Sequence, residues 1–273
     1  MKLFGGRIKT IKTAANQSWK ITPEQLKQVC GKKSKILILN NANNPTGVLY
    51  SKKELRSILT IAKQKKLMVI SDEVYSGLVY DNNRFHSCAA FPQFRKHVII
   101  IQSCSKNFAM TGWRVGFVMA DENLIKILTN LLSQSTSGVT TISQWAAVAA
   151  LKNPQKFTVP IRKELQKRRD ALVYALNKNF QLKLTKPQSS LYLFVNMKDL
   201  GIAKVNSVNF CMDLLQKTGV ALIPGSACGR EGYVRLSFGA KPQVIKKAVK
   251  ILARYCRTTG RNKGSPPQAA GYY

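Results

Sequence analysis

Acidic residues are scarce in this sequence of 273 residues, which has 12 Asp and Glu against 44 Lys and Arg and a formal net charge of +32. Ordinary composition would give roughly 34 residues of each sign, so a deficit of about twenty acids contributes more to the charge than an excess of about ten bases. An enzyme of small anionic substrates needs only one or two cations in a cleft. A surface cleared of acids is typical of a protein that lies against a polyanion.

Histidines, paired cysteines and long apolar runs are also rare or absent. The two histidines, His86 and His97, leave almost no imidazole for a metal centre or a Ser/His/Asp triad, so we expect no metal site. The six cysteines include no CxxC pair, which predicts six free thiols in a reducing compartment, the cytoplasm or an organelle matrix. No apolar run approaches the roughly 18 residues of a membrane-spanning helix, so no membrane partner is expected.

The basic segment that precedes Glu24, the first acid, allows two interpretations. It faintly resembles an organelle transit peptide. It is poor in Arg and Ser, however, and its alternating pattern fits a strand at least as well, so we predict a strand there.

Short apolar runs and helix-start signals alternate between residues 21 and 120. The runs KILILN, LMVISD and HVIIIQS are continuous, as in strands that are buried on both faces of a parallel sheet. Capping-box patterns at Thr22 and Ser51 predict two helix starts. Only eleven residues separate Ser103 from the next run, VGFVMA, too few for a usual parallel crossover, so this strand is predicted to run antiparallel.

The second half of the chain is predicted to contain a long helix and a smaller domain. A charged segment at 154–178 is predicted to link a first domain, 1–153, with a small α+β domain, 170–257. Residues 258–273 contain Gly and Pro but no acid, which predicts a disordered tail.

Four motifs that could carry chemistry lie at or just past strand ends, where open α/β sheets place their sites. They are NNPTG at 43–47, SDEVY at 71–75, SCSK at 103–106 with TGWR at 111–114, and YVRLSF at 233–238. Each alone has an ordinary interpretation as a turn, a helix cap or an exposed base. The spacing from Asn44 to Asp72 is 28 residues, from Asp72 to Lys106 is 34, and from Lys106 to Arg114 is 8.

In order and spacing, the four motifs together resemble those of the class I and II aminotransferases, pyridoxal-phosphate enzymes of fold type I. The resemblance extends from about Gly5 to about Leu252 and includes FAMTGWRVGF after Lys106 and PGSACG before Arg235. It implies an α/β fold of type I, with an incomplete large domain on a mainly parallel sheet and a small α+β C-terminal domain. It also implies the transfer of an amino group between an α-amino acid and a 2-oxo acid.

The resemblance assigns roles to four residues around the cofactor ring. Lys106 is implied as the lysine that forms the Schiff base with pyridoxal phosphate and that later acts as the general base. Asp72 is implied as the partner of the pyridine nitrogen. Tyr75 and Asn44 are similar to the family's hydrogen-bond donors to the ring oxygen O3′.

Four further residues are implied as ligands of anions. Ser103, Ser105 and Arg114 resemble the residues that hold the cofactor phosphate with hydroxyl groups and a guanidinium. Arg235 resembles the arginine that binds the substrate α-carboxylate with two parallel hydrogen bonds.

The sequence departs from the family at its start, because family members begin upstream of Met1. The upstream part carries the first helix of the large domain, a small-residue phosphate loop, an aromatic residue that stacks on the ring and a tyrosine lent by the partner subunit. None of these has a counterpart here, and we interpret GSA at 225–227 as a turn rather than as that loop. Exposed strand edges and apolar surface are therefore expected, together with a covering partner: a second copy in a homodimer or a complementing N-terminal chain.

Two functions stay open at this point. The chain is an aminotransferase, present as a fragment, a truncated copy or half of a split enzyme, or it is a non-catalytic structural subunit of an RNA-rich particle such as an organelle ribosome. The second alternative explains most of the charge. The intact motifs favour the first, because a purely structural descendant has no physical need for Lys106, Asp72 and Arg235 together. Aspartate, aromatic and kynurenine-type amino donors all fit the motifs.

Overall fold

The computed structural model describes residues 2–203 and 205–261, which form two compact units. Unit 1 comprises the chain up to Glu164 together with Pro187–Ser190, and unit 2 comprises Leu165–Lys186 and the chain from Leu191 onward. The division falls inside a long helix rather than at residue 153. Pro187–Ser190 belongs to unit 1 because the hydroxyl of Ser189 donates to the carbonyl of Gly47 at 3.0 Å and a β-bridge joins the same residue to Val79.

Unit 1 is built on a four-stranded sheet in the order β1-β2-β3-β4. The strands are β1 (Ile36–Asn40), β2 (Met68–Asp72), β3 (Val98–Ser103) and β4 (Gly116–Met119). β1, β2 and β3 are parallel, whereas β4 is antiparallel to β3. The antiparallel direction predicted from the short link is confirmed, because a link of this length returns the chain along the neighbouring edge.

Two helices of unit 1 begin where the sequence predicts. Helix α1 (Pro23–Val29) starts after Thr22 and α2 (Lys52–Gln64) after Ser51, and each has a complete capping box. The apolar face of α2 packs against one side of the sheet in a core of buried side chains. Its larger members include Leu37, Leu39, Leu55, Ile58, Leu59, Val69, Phe91 and Ile100.

The remaining helices of this part of the chain are α3 (Cys104–Asn107), α4 (Glu122–Ser135), α5 (Thr141–Lys152) and α6 (Pro154–Phe180). Helix α6 covers the segment predicted to link two domains, and its residues up to Glu164 belong to unit 1. No helix in residues 2–203 and 205–261 is long and apolar enough to cross a bilayer.

Apolar side chains are exposed along the two outer strands of the sheet. Ile36 and Ile38 of β1 are 46% and 57% exposed, and all four residues of β4 are exposed. Helices α4 and α5 also expose apolar groups, with Leu131 at 64% and Trp145 at 69%. Unit 1 therefore carries the exposed edges and apolar surface expected from the sequence.

The prediction of a strand before Glu24 is wrong. Residues 2–20 contain two short 3₁₀ helices, Lys2–Phe4 and Ala15–Gln17, and no strand. Ser18 and Trp19 have positive φ angles of 52° and 57°, which turn the chain and interrupt any extended run.

Unit 2 contains a three-stranded antiparallel sheet in the order β5-β7-β6. Its strands are β5 (Tyr192–Asn196), β6 (Ile223–Pro224) and β7 (Tyr233–Ser237), and its helices are the second part of α6, α7 (Ser207–Thr218) and α8 (Pro242–Arg261). Residues 225–227 lie in a 3₁₀ helix, Gly225–Cys228, in which a Cβ on Gly225 would lie 2.2 Å from the carbonyl oxygen of Arg230. This glycine is therefore needed for a close packing of the chain.

The tail predicted at 258–273 begins too early. Helix α8 continues to Arg261, so residues 258–261 are helical rather than disordered. The hydroxyl of Thr258 donates to the carbonyl of Tyr255 at 2.8 Å within the last turns of this helix. Residues 262–273 lie outside the described part of the chain.

Candidate active site

The loops that carry the motifs of unit 1 leave the sheet at the carboxyl ends of β1, β2 and β3. Asn40 is paired with Asp72 across β1 and β2, and Asp72 is paired with Ile101 across β2 and β3. The carboxyl ends of three parallel strands are therefore level, and β3 ends two residues later at Ser103. Open α/β sheets hold their ligands at the carboxyl ends of their strands.

Asn40 fixes the loop that carries Asn44. Its Nδ2 donates to the carbonyl of Asp72 at 3.1 Å, and its Oδ1 accepts from the backbone N–H of Asn44 at 2.8 Å. Later in the loop Gly47 has a φ of 70°, and a Cβ there would lie 2.4 Å from the Cβ of Pro187. The half-buried Asn44 is thus held beside the end of β2 by hydrogen bonds and a glycine turn.

The Asp72 carboxylate is half-buried at the end of β2. Its Oδ1 accepts from the backbone N–H of Val74 at 3.2 Å, which orients the carboxylate along its own loop. Tyr75, three residues on, is 6% exposed, and its carbonyl accepts from the N–H of Leu78 at 2.9 Å.

Lys106 lies on the short helix α3, directly after β3. The hydroxyl of Ser103 caps this helix by accepting from the backbone N–H of Ser105 at 3.1 Å. The Lys106 side chain is half-buried, and its Nζ has no hydrogen bond or ion pair with any residue in the described part of the chain. The ε-amine is therefore available to a ligand.

Asn107 joins the Lys106 helix to the Asp72 loop. It is 8% exposed, its Oδ1 accepts from the N–H of Gly77 at 3.0 Å, and its Nδ2 donates to the hydroxyl of Ser76 at 3.2 Å. The sequence analysis missed both Asn107 and Asn40. The only signal that the sequence offers is the position of each amide, Asn40 at the end of an apolar run and Asn107 directly after the SCSK motif.

Arg114 lies between a 3₁₀ helix, Thr111–Trp113, and the start of β4. Its side chain is exposed, and Nη1 donates to the carbonyl of Thr111 at 2.9 Å. Because Ser103 is paired with Gly116, Arg114 lies near the same end of β3 as Ser103. The backbone of Arg114 is left-handed, with a φ of 51°.

Glu73 is a buried carboxyl group next to Asp72, and the sequence analysis did not single it out. It is 0% exposed, and its Oε1 accepts from the hydroxyl of Ser71 at 2.8 Å and from the N–H of Cys88 at 2.9 Å. Burial raises the pKa of Glu73, the neighbouring Asp72 charge acts in the same direction, and the hydrogen bonds oppose them. This residue ties the end of β2 to the segment around residue 88.

Arg235 belongs to unit 2, unlike the other seven predicted site residues. It lies on β7 between Phe194 of β5 and Ile223 of β6. Its guanidinium carbon is 4.4 Å from the centroid of the Tyr192 ring, a cation–π geometry that holds the side chain on the sheet surface. The side chain is half-exposed.

The unit 1 residues fit the functional groups of pyridoxal phosphate. Lys106 offers an uncommitted amine for an aldehyde, and Asp72 offers a carboxylate for a protonated ring nitrogen. Ser105 and Arg114 offer a hydroxyl and a guanidinium for a phosphate. Within residues 2–203 and 205–261, no group of three His, Cys, Asp or Glu side chains is placed to hold a metal ion.

Comparison with known proteins identifies the same family that the motifs resemble. The family model for aminotransferase class I and II matches residues 1–252. The chain belongs to this family. Its fold is accordingly that of the fold type I aminotransferases, with the mainly parallel sheet of unit 1 as part of the large domain.

The relatives include enzymes named for different amino acids. The chain is 34% identical over 262 residues to the aspartate aminotransferase of Bacillus sp. strain YM-2, which covers 94% of this chain and 66% of the relative. A double mutant of Thermus thermophilus aspartate aminotransferase is 30% identical with a TM-score of 0.84, covering 93% of this chain and 65% of that one. The aromatic aminotransferase of Pyrococcus horikoshii is 33% identical with a TM-score of 0.85, covering 91% and 67%. This chain therefore spans about two thirds of the length of its relatives.

Proposed function

We propose that this protein transfers an amino group between an α-amino acid and a 2-oxo acid with pyridoxal phosphate as its cofactor. The observation that carries the proposal is the amine of Lys106, which is half-buried and makes no hydrogen bond or ion pair with the described residues. It lies just past the carboxyl end of β3, beside β2, which ends at Asp72, in a chain of the aminotransferase family. When bound, pyridoxal phosphate supplies an electron-withdrawing ring that stabilises negative charge at the substrate Cα.

Lys106 has two tasks in this proposal. Its ε-amine would hold the cofactor through the aldehyde, and as a free amine its Nζ would take the proton from the substrate Cα. The amine must be uncharged to accept that proton and close to Cα throughout. The cap at Ser103 and the Asn107 contacts support this, because they fix both ends of the four-residue helix that carries Lys106.

Three residues are proposed to act on the cofactor ring. The Asp72 carboxylate accepts a hydrogen bond from the ring nitrogen and keeps it protonated, which requires that Asp72 stays charged. Asn44 and Tyr75 donate to the ring oxygen O3′. Asn40 acts indirectly, because it sets the distance between the Asn44 loop and the end of β2.

The anionic groups are assigned to hydroxyl and guanidinium side chains. Ser103, Ser105 and Arg114 bind the cofactor phosphate through two hydroxyl groups and a guanidinium. Arg235 binds the substrate α-carboxylate with two parallel hydrogen bonds, which makes α-amino acids the substrate class. Aspartate and aromatic amino acids are the first donors to test, because the relatives are named for them.

Chemical trapping tests the assignment of Lys106. The purified chain is incubated with pyridoxal phosphate, reduced with borohydride and digested, and the modified lysines are located by mass spectrometry. We expect the modification to concentrate on Lys106 and to disappear in Lys106→Arg, while Lys52→Arg, an exposed lysine of α2, leaves it unchanged. Modification spread evenly over the lysines of the chain would contradict the proposal.

A covering partner is part of the proposal, since unit 1 exposes apolar strands. This partner is a second copy of the chain or a complementing chain with the part of the relatives that this chain does not match. The assay is amino transfer from aspartate or phenylalanine to 2-oxoglutarate, with and without the co-expressed partner. The alternative function, a structural subunit of an RNA-rich particle, predicts instead that Lys106 labels no faster than other lysines and that the chain co-purifies with ribosomal RNA.

A further inference from the structure

Helix α8 of unit 2 has one face that contains only basic side chains among its charged groups. Lys246, Lys247, Lys250, Arg254 and Arg257 are all exposed. At about 100° per residue these five positions fall within a sector about 100° wide, so they form a single stripe along the helix. We call these five residues the basic face of α8.

The carboxylates of unit 2 do not neutralise this face. Asp170 is paired with Arg169 and Lys186, and Asp213 is paired with Lys217. Within the described residues, none of the five cations forms an ion pair with a carboxylate. The sequence has no Asp or Glu after residue 231, so no acid follows on the same segment.

Part of the basic face lines a groove. Lys250, Arg254 and Arg257, together with Asn179 of α6 and Thr258, surround an open groove of about 490 Å³. The cations repeat along the helix at about one turn, 5.4 Å, and so present a row of charge rather than a single point. A row of cations matches a row of phosphates better than it matches one small anion.

The burial of the opposite side of α8 favours a nucleic acid over an anionic membrane as the partner of the basic face. Ile245, Val249, Leu252 and Cys256 are buried in unit 2. The apolar side of the helix is therefore occupied and is not available to enter a lipid layer, which an amphipathic membrane helix requires. Binding to the phosphate backbone of a nucleic acid requires only the exposed cations and no free apolar surface.

We propose that the basic face of α8 binds the phosphate backbone of a nucleic acid, independently of the residues proposed for amino transfer. The cations make charge-assisted hydrogen bonds to phosphate oxygens and release the counterions of the nucleic acid. The contacts are to the backbone, so the binding is insensitive to base sequence.

Binding of a fluorescent oligouridylate of about 20 nucleotides, measured by anisotropy at several salt concentrations, tests this proposal. The test variant is Lys250→Gln/Arg254→Gln/Arg257→Gln. The control is Lys52→Gln/Lys53→Gln/Arg56→Gln, which removes three exposed cations from one face of α2 in unit 1. They lie in a sector about 100° wide, against about 60° for the three α8 cations. Loss of three phosphate contacts should weaken binding about a hundredfold at 0.1 M salt and make the salt slope shallower by about 2.

The expected result is this loss in the α8 variant and little change in the α2 control. Lys250→Arg/Arg254→Lys, which keeps both charges, should retain binding. An equal loss in both triple variants would overturn the proposal, because it would mean that diffuse net charge drives binding. An unchanged α8 variant would also overturn it. Tighter binding to phosphatidylserine vesicles than to RNA, with the same dependence on the α8 cations, would assign the face to a membrane surface instead.

Discussion

The side-chain oxygen of Asn107 accepts a hydrogen bond from the backbone N–H of Gly77 at 3.0 Å. This contact joins the helix of Lys106 to the loop that begins at Asp72, two segments that are about thirty residues apart in sequence. Asn40 makes the corresponding link between Asp72 and the Asn44 loop. Two side-chain amides therefore connect the three loops of the candidate site, and neither amide belongs to the set predicted to touch the cofactor.

Replacing Asn107 should loosen the Lys106 helix. In Asn107→Ala the half-buried N–H of Gly77 loses its partner, which should lower the free energy of unfolding by about 1–3 kcal/mol. Hydrogen exchange of the Gly77 amide, followed by mass spectrometry, should become faster. Asn123→Ala on α4, where the side chain is exposed, is the control and should leave both quantities unchanged. Equal effects of the two substitutions would show that Asn107 does not hold the loop.

Two glycines near Arg114 should respond differently to alanine. A Cβ on Gly116 would lie 2.7 Å from the carbonyl oxygen of Gln102 on β3, whereas a Cβ on Gly112 meets no atom within 4 Å. Gly116→Ala should therefore separate β4 from β3 and cost about 1–3 kcal/mol of stability. Gly112→Ala should stay within about 0.5 kcal/mol of the parent. Urea unfolding measures both, and a Gly116→Ala variant as stable as Gly112→Ala would refute the close approach.

Glu73 and Glu231 should give opposite pH dependences of stability. The pKa of Glu73 is raised by burial, so the folded state holds the proton more strongly, and stability is lost as pH rises from the ordinary pKa of glutamate through the raised value. The pKa of Glu231 is lowered by backbone hydrogen bonds from Gly232 and Ser207, so stability is lost as pH falls through the lowered value.

The substitutions Glu73→Gln and Glu231→Gln test these signs by urea unfolding from pH 3 to pH 8, a range of about five units around the glutamate pKa. Glu73→Gln should remove the loss of stability that occurs as pH rises, because a glutamine does not ionise. Its side-chain oxygen can still accept hydrogen bonds from Ser71 and Cys88. Glu231→Gln should lower stability at neutral pH and have less effect in acid. The same slope change in both variants would be inconsistent with the two environments.

The exposed edge strand should cause self-association of the chain when it is purified alone. Val118 of β4 is 45% exposed on a strand with one unpaired edge. A lysine there should discourage edge-to-edge pairing, so Val118→Lys should reduce the sedimenting oligomers and aggregates. The control is Val244→Lys on α8 of unit 2, where the valine is 56% exposed on a helix, so the same charge is added at a position that is not on a strand. If both variants reduce association equally, net charge rather than the strand edge controls it.

The sequence predicted the sheet of unit 1 well because its signals are local. The continuous apolar runs, the capping boxes and the short link after Ser103 each report on a few neighbouring residues, and each element was found where they indicate. The segment before Glu24 failed because alternation alone does not show that an extended chain has a strand to pair with. The tail was predicted too early because the absence of acids resembles disorder, although α8 keeps its apolar side buried.

The supporting residues of the site could not be predicted in the same way. Asn40, Glu73 and Asn107 act through partners on other loops, and sequence spacing does not show which loops meet. Motif residues such as Lys106 are recognisable because the four motifs occur together in a characteristic order and spacing, whereas an amide that holds a backbone N–H belongs to no such pattern.

The antiparallel return of β4 has a kinetic consequence. β3, α3 and β4 form one continuous stretch, Val98 to Met119, that contains Ser103, Lys106 and Arg114. Closing this stretch requires a loop of only twelve residues, 104–115, whereas the parallel pairs β1–β2 and β2–β3 each require a longer crossover. Loop-closure entropy rises with loop length, so the stretch that carries Lys106 can form on a nascent chain before the rest of the sheet has paired.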